Sequence, residues 1–144
     1  MYIGIDPGKT GAVAFLDEKG NYIDVLDFGQ DDLVPVLWDR ALKVQHAYLE
    51  RVHSMPGQGV ASTFNFGENF GWWQGVLTGF GISYSLVRPQ DWMKKYSLRK
   101  SSPSDKPGLE LARKLFPEAP LGLKKHHNRA DALLIAKCCW EEKR

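Results

Sequence analysis

An α/β fold, a mixed sheet flanked by helices, is what this chain of 144 residues predicts. Two observations carry that reading. Three apolar segments follow one another through short turns, and two more are each preceded by a helical pattern, giving the order βββαβαβα. A long helical tail then closes the chain.

The elements follow in order. Tyr2 to Asp6, Gly11 to Leu16 and Tyr22 to Phe28 read as strands, the last two joined by the turn Lys19-Gly20-Asn21. Asp31 and Asp32 are positioned to cap a helix reaching about Lys43, with Pro35 in its first turn and Leu33, Val36, Leu37 and Leu42 apolar. Residues 47–52 read as a fourth strand, and the glycine-rich run 54–67 as a loop. A helix is expected from near Gly67 to near Gly79, then a fifth strand from Ile82 to Val87. The tail holds a short helix at Pro89 to Tyr96 and a second from about Ser104, as cap, to Phe116, with Pro117 as stop. A third runs from about Asn128 to Trp140. Residues 97–103 read as a mobile basic loop.

Length suits one domain, residues 1–144, with an adequate core, and 43% hydrophobic against 25% charged residues is the composition of a soluble globular protein. No apolar run approaches a membrane span, and the first residues lack the regions of a signal peptide. Cys138 and Cys139 are adjacent and poorly placed to pair with each other, and no zinc-type spacing occurs, so a cytoplasmic setting is expected. The net charge of +2 hides an asymmetry: residues 1–87 sum to −5 and residues 88–144 to +7. A basic half facing a polyanion and a merely solvated basic face both fit that distribution.

The chemistry-bearing positions are acids at element ends. Asp6 closes the first strand just before the turn Pro7-Gly8-Lys9-Thr10-Gly11. An unpaired carboxylate on a buried strand is costly to desolvate, and metal coordination offsets that cost. Glu50 repeats the pattern at the end of the fourth strand. Strand-end acids of neighbouring parallel strands meet at one edge of a sheet, where open α/β sheets place their sites. Asp131 lies near the start of an apolar helix, where an acid also complements the helix dipole. The preceding run Lys124-Lys125-His126-His127-Asn128-Arg129 adds proton-transfer groups beside cations. His127, four residues before Asp131, and Asn128, three before, share a helix face with it if the helix begins early. Acids converging beside a basic surface suit two-metal phosphodiester hydrolysis with Mg²⁺, a hard ion that prefers carboxylate oxygen.

Gly4 to Thr10 nearly matches a phosphate-binding P-loop and fails it. Three residues rather than four separate Gly4 from Gly8, and a strand rather than a helix follows. No nucleotide cofactor is expected.

Ile3-Gly4-Ile5-Asp6-Pro7-Gly8-Lys9-Thr10-Gly11, Leu49-Glu50-Arg51-Val52 and Arg129-Ala130-Asp131-Ala132-Leu133 resemble, in order and approximate spacing, the acidic motifs of the RuvC family of Holliday junction resolvases. The aromatic- and glycine-rich run 55–75 is closer to small viral or phage members. The resemblance implies an RNase H-like fold with a mixed five-stranded sheet, a homodimer, and Mg²⁺ with Mn²⁺ able to substitute. It also implies paired nicks across a four-way DNA junction, with Asp6, Glu50 and Asp131 as metal ligands and catalytic groups. The bacterial family carries Asp or His where this chain has Asn128. A neutral amide binds metal less strongly, so the fourth role is open between Asn128, as a ligand, and the catalytic candidate His127 or its neighbour His126.

Lys94, Lys95, Arg99, Lys100 and Lys106 form a basic stretch suited to DNA phosphates, with Lys124, Lys125 and Arg129 as a second group. Phe64 and Phe66, expected in a flexible segment, are candidates to wedge into a junction. Phe70, Trp73 and Leu77 fit a core stripe, and Gly71 and Gly75 suit close approach of a second copy of the helix. Rival readings are an RNase H-like nuclease acting on RNA–DNA hybrid or structured RNA, and a non-catalytic junction-binding module. A sugar-kinase or actin-like ATPase needs two related domains and is too large for this chain.

Overall fold

The computed structural model describes residues 1–52, 56–102 and 104–144. Strands β1 (Tyr2–Asp6), β2 (Ala12–Leu16), β3 (Tyr22–Asp27), β4 (His46–Glu50) and β5 (Tyr84–Val87) form one sheet in the order β3-β2-β1-β4-β5. The first three are an antiparallel meander. β4 and β5 join parallel to β1, with Ile5 opposite Leu49 and Leu49 opposite Leu86. The helices are α1 (Leu33–Arg40), α2 (Val60–Gly79), α3 (Pro89–Lys95), α4 (Pro107–Leu115) and α5 (His127–Lys143). The mixed sheet flanked by helices is therefore as expected.

Strand alternation divides the core into two layers. Ile3, Ile5, Val13, Phe15, Ala47 and Leu49 pack with Leu33 and Leu37 of α1 and Trp73 and Leu77 of α2. Tyr2, Ala12, Ala14, Leu16 and Tyr48 pack with α5 and α4 on the other face. α5 lies almost on the backbone of β1. A Cβ built on Gly4 would fall 2.0 Å from Ala136 N and 2.2 Å from Ala132 O, so only glycine admits this approach. The contact fixes the helix's height along the strand and brings its first turns to the carboxyl edge of the sheet.

Several boundaries depart from the sequence reading. α2 begins at Val60, behind Gly57 and Gly59, rather than near Gly67. Residues 60–66 contain neither Gly nor Pro, so nothing stops the helix extending upstream, and Phe64 and Phe66 are helical. α1 gives way to a 3₁₀ turn at Ala41–Lys43. α4 starts at Pro107, whose missing N–H suits a first turn, and Ser104 does not cap it. α5 runs on to Lys143. Part of the expected loop at 54–67, and one residue of the expected loop at 97–103, fall outside the described residues. Cys138 and Cys139 are both free and buried.

Candidate active site

Parity and register assemble the acids. Asp6 shares the face of Tyr2 and Gly4, and Glu50 shares the face of Tyr48, so both point to the α5 side of the sheet. Each lies one residue past the paired Ile5 and Leu49. Asp131 precedes Ala132, the residue that abuts Gly4, and so arrives above the same edge. Asp27 of β3 and Thr10 of the β1–β2 turn anchor the start of α5. Arg129 grips Asp27 with two nitrogens at 2.7 and 2.6 Å, and Asn128 donates to Thr10 O at 2.5 Å and Oγ1 at 2.7 Å.

Asp6 is the buried charged side chain among the described residues, 9% exposed, while Glu50 and Asp131 are half-buried. Asp6 Oδ1 accepts the Gly8 N–H at 3.1 Å, and Glu50 Oε1 accepts the Trp92 Nε1–H at 2.8 Å. Burial lifts the Asp6 carboxyl to about 6, against the pull of the Gly8 N–H. Burial first, then repulsion from Asp6, lifts Glu50 to about 7. Burial, then repulsion from Asp6 and Glu50, lifts Asp131 to about 8. Their mutual repulsion places the three in one electrostatic cluster.

A cavity of about 220 Å³ opens beside the cluster, lined by Glu50, Asp131, His127, Lys100, Lys106 and Trp92 among others. Gly108 also lines it, and a Cβ there would lie 2.8 Å from Asp131 Oδ1, so glycine leaves room for the carboxylate. The charges of Lys100 and Lys106 act on Asp131 across this space, yet neither pairs with an acid among the described residues. As placed, no group of three or more His, Cys, Asp or Glu side chains among the described residues is arranged to hold a metal ion. The chemistry of the donor set nevertheless suits a hard divalent ion: three crowded carboxylates, each destabilised when ionised and none in an ion pair among the described residues.

The remaining predicted residues separate. His127 lines the acid cavity, whereas His126 and Asn128 line a different hollow, which His127 borders as well. Asn128 donates its amide N–H groups to Thr10, and of the three candidates for the fourth role His127 is the one that lines the acid cavity. Burial and the charges of Lys106 and Lys100 hold its pKa below the usual histidine range. Lys94 and Arg99 line a cleft of about 510 Å³ that shares Met93 and Leu98 with the acid cavity. Lys95 is not brought there. It pairs with Glu141 at 3.2 Å and Glu142 at 3.1 Å, about 15 Å along α5 from Asp131. Arg129 is committed to Asp27 and to Pro120 O. Lys124 and Lys125 are exposed, and Lys125 borders the hollow with Asn128. Phe64 and Phe66 are 65% and 38% exposed on α2.

Sequence reasoning missed Trp92, Gly108 and Thr10. Trp92 gave no signal beyond an aromatic in a short helix. Gly108, directly after Pro107, is a glycine inside a helical pattern, which commonly marks a close approach.

This arrangement is the RNase H-like fold of RuvC. A structure of Thermus thermophilus RuvC with a Holliday junction substrate superimposes with a TM-score of 0.58 over 97% of this chain and 92% of that one, at 17% identity. A second Thermus thermophilus RuvC structure gives 0.55 over 94% and 90%, at 18% identity. In sequence the chain is similar to the chloroplastic Holliday junction resolvase MOC1 of Chlamydomonas reinhardtii, 37% identical over 93 residues. That alignment takes in 63% of this chain and 10% of the relative's length. No family model matches the chain.

Proposed function

We propose that this protein is a divalent-metal-dependent, structure-selective endonuclease that resolves four-way DNA junctions by paired phosphodiester hydrolysis. The observation that carries the reading is the cluster of Asp6, Glu50 and Asp131, each made a poor anion by burial or by its neighbours and set against a basic rim. The MOC1 similarity and the RuvC fold support the junction as substrate.

Asp6, Glu50 and Asp131 would hold Mg²⁺, with Mn²⁺ as an alternative of similar oxygen preference. Such an ion activates water and offsets charge building on the phosphate. The chain's own groups do the rest. The Gly8 N–H and Trp92 Nε1–H each hold one carboxylate oxygen, fixing the orientation of Asp6 and Glu50. Lys100 and Lys106 draw the phosphate into the cavity. His127, whose pKa is lowered by burial and by the charges of Lys106 and Lys100, would take a proton from the attacking water.

Two nicks on opposite arms require two sites. The outer face of α2 supplies a surface for a second copy. Gly67, Gly71, Gly75 and Gly79 recur at a spacing of four, and a Cβ at any of them would meet nothing within 4 Å. Val60, 88% exposed, and Phe64 extend that surface. Sedimentation at micromolar protein is expected to show a dimer.

The test is a substrate panel. A labelled four-way junction, a matched duplex and an RNA–DNA hybrid are incubated with and without Mg²⁺. Symmetric, Mg²⁺-dependent nicks in the junction alone are expected. Preferential cutting of the hybrid would move the substrate to RNA-containing duplexes, and binding without any nicking would leave a junction-binding module.

A further inference from the structure

The acid cavity has a neighbour across His127 that the chemistry above does not use. A hollow of about 350 Å³ lies between the β1–β2 turn, the end of β3 and the start of α5. Lys9, Thr10, Lys125, His126 and Asn128 line it, with Asp27 as its carboxylate. Asp27 is already neutralised by the two-nitrogen grip of Arg129. Neither Lys9 nor Lys125 forms an ion pair among the described residues, so the hollow keeps two uncommitted positive charges.

Two neutral donors are prepared beside them. Thr10 Oγ1 accepts the Asn128 amide at 2.7 Å, which leaves its own proton to donate. His126 Nδ1 accepts the Leu123 N–H at 3.2 Å, which places the proton of the neutral ring on Nε2. Uncommitted ammonium groups, fixed O–H and N–H donors and no unpaired acid make a seat for an oxyanion. The hollow also continues a line along the carboxyl edge of the sheet. The Lys94–Arg99 cleft adjoins the acid cavity on one side through Met93 and Leu98, and this hollow adjoins it on the other through His127.

Resting on the nuclease reading, we infer that this hollow seats a phosphodiester of the cleaved DNA strand next to the scissile one. The strand then crosses the sheet edge from the Lys94–Arg99 cleft, over the acids, to Lys9, Thr10 and Lys125. Asn128 is a positioning residue in this scheme: its amide N–H groups hold the Thr10 carbonyl and hydroxyl oxygens.

The test measures binding, so it stands apart from cleavage. Four-way junctions carrying one uncharged methylphosphonate at successive positions around the scissile phosphate are titrated by fluorescence anisotropy against wild type and the double variant Lys9→Ala/Lys125→Ala. Wild type is expected to lose about tenfold in affinity at one neighbouring position, and the variant less than about twofold at that position. The variant's slope of log affinity against log salt is expected to be shallower by roughly two. Equal losses in both proteins at every position, or an unchanged salt slope, overturn the inference. A thermal shift by inorganic phosphate that the variant lacks, without methylphosphonate coupling, assigns the hollow to free phosphate and also overturns it. Failure of the nuclease reading has a different signature: the methylphosphonate coupling is seen in binding, but the unmodified junction is never cut in Mg²⁺.

Discussion

At the scale of single residues, the least visible contributor to the site is Trp92. Its indole N–H stabilises the ionised form of Glu50 and fixes one oxygen. Trp92→Phe removes the donor and keeps the aromatic bulk, so Glu50 is expected to ionise at higher pH. The acid limb of the pH–rate profile should move to higher pH, and activity at neutral pH should fall by roughly ten- to a hundredfold. An unmoved limb would make Trp92 a packing residue only. The fourth position gives a second expectation. His127→Ala should slow single-turnover cleavage by about a hundredfold, and Asn128→Ala should leave the chemical step less affected. The reverse order would return the role to Asn128.

At the scale of elements, the seam between β1 and α5 decides whether there is a site at all. Gly4→Ala forces a methyl into the α5 backbone, since Ala136 Cα would lie only 2.7 Å from it. Backbone cannot yield as a flexible side chain does, so destabilisation of about 3 kcal/mol or more is expected from denaturant unfolding. A loss under about 1 kcal/mol would show that the helix is free to lift off the strand. Alternation and turn signals made all five strands legible, and with them the acids at the ends of β1 and β4. The start of α2 was not legible, because the glycine-rich run masked residues that are good enough helix formers once a helix is under way. The commitments of Lys95 and Arg129 were equally hidden. A lysine paired across α3 and α5 reads in sequence like one facing solvent.

For the whole molecule, the acid cluster makes stability depend on pH. Asp6, Glu50 and Asp131 titrate in the folded chain at about 6, 7 and 8, above their ordinary values of 3.8, 4.5 and 3.8. Below about pH 4 both folded and unfolded chains hold these protons. Between about pH 4 and 8 the folded chain retains more of them, so unfolding releases protons and stability falls as pH rises. The metal-free Tm is expected to fall by about 5 °C or more across that window. Mg²⁺ should restore more of it at pH 8 than at pH 5, because the ionised acids are the ligands. The combined variant Asp6→Asn/Glu50→Gln/Asp131→Asn should flatten the pH dependence and lose the Mg²⁺ response. Persistence of both in that variant would place their origin elsewhere in the chain.

The central claim is that the carboxylates at the sheet edge hold the metal that cuts branched DNA. Single-turnover cleavage of a labelled four-way junction, followed against Mg²⁺ concentration for wild type and Asp6→Asn, tests it most directly. Wild type is expected to nick the junction symmetrically only when Mg²⁺ is present. Asp6→Asn should bind the junction normally and cut it about a hundredfold more slowly or not at all. Equal rates for the two proteins at saturating Mg²⁺, or undiminished wild-type cleavage in a chelator, would contradict the account.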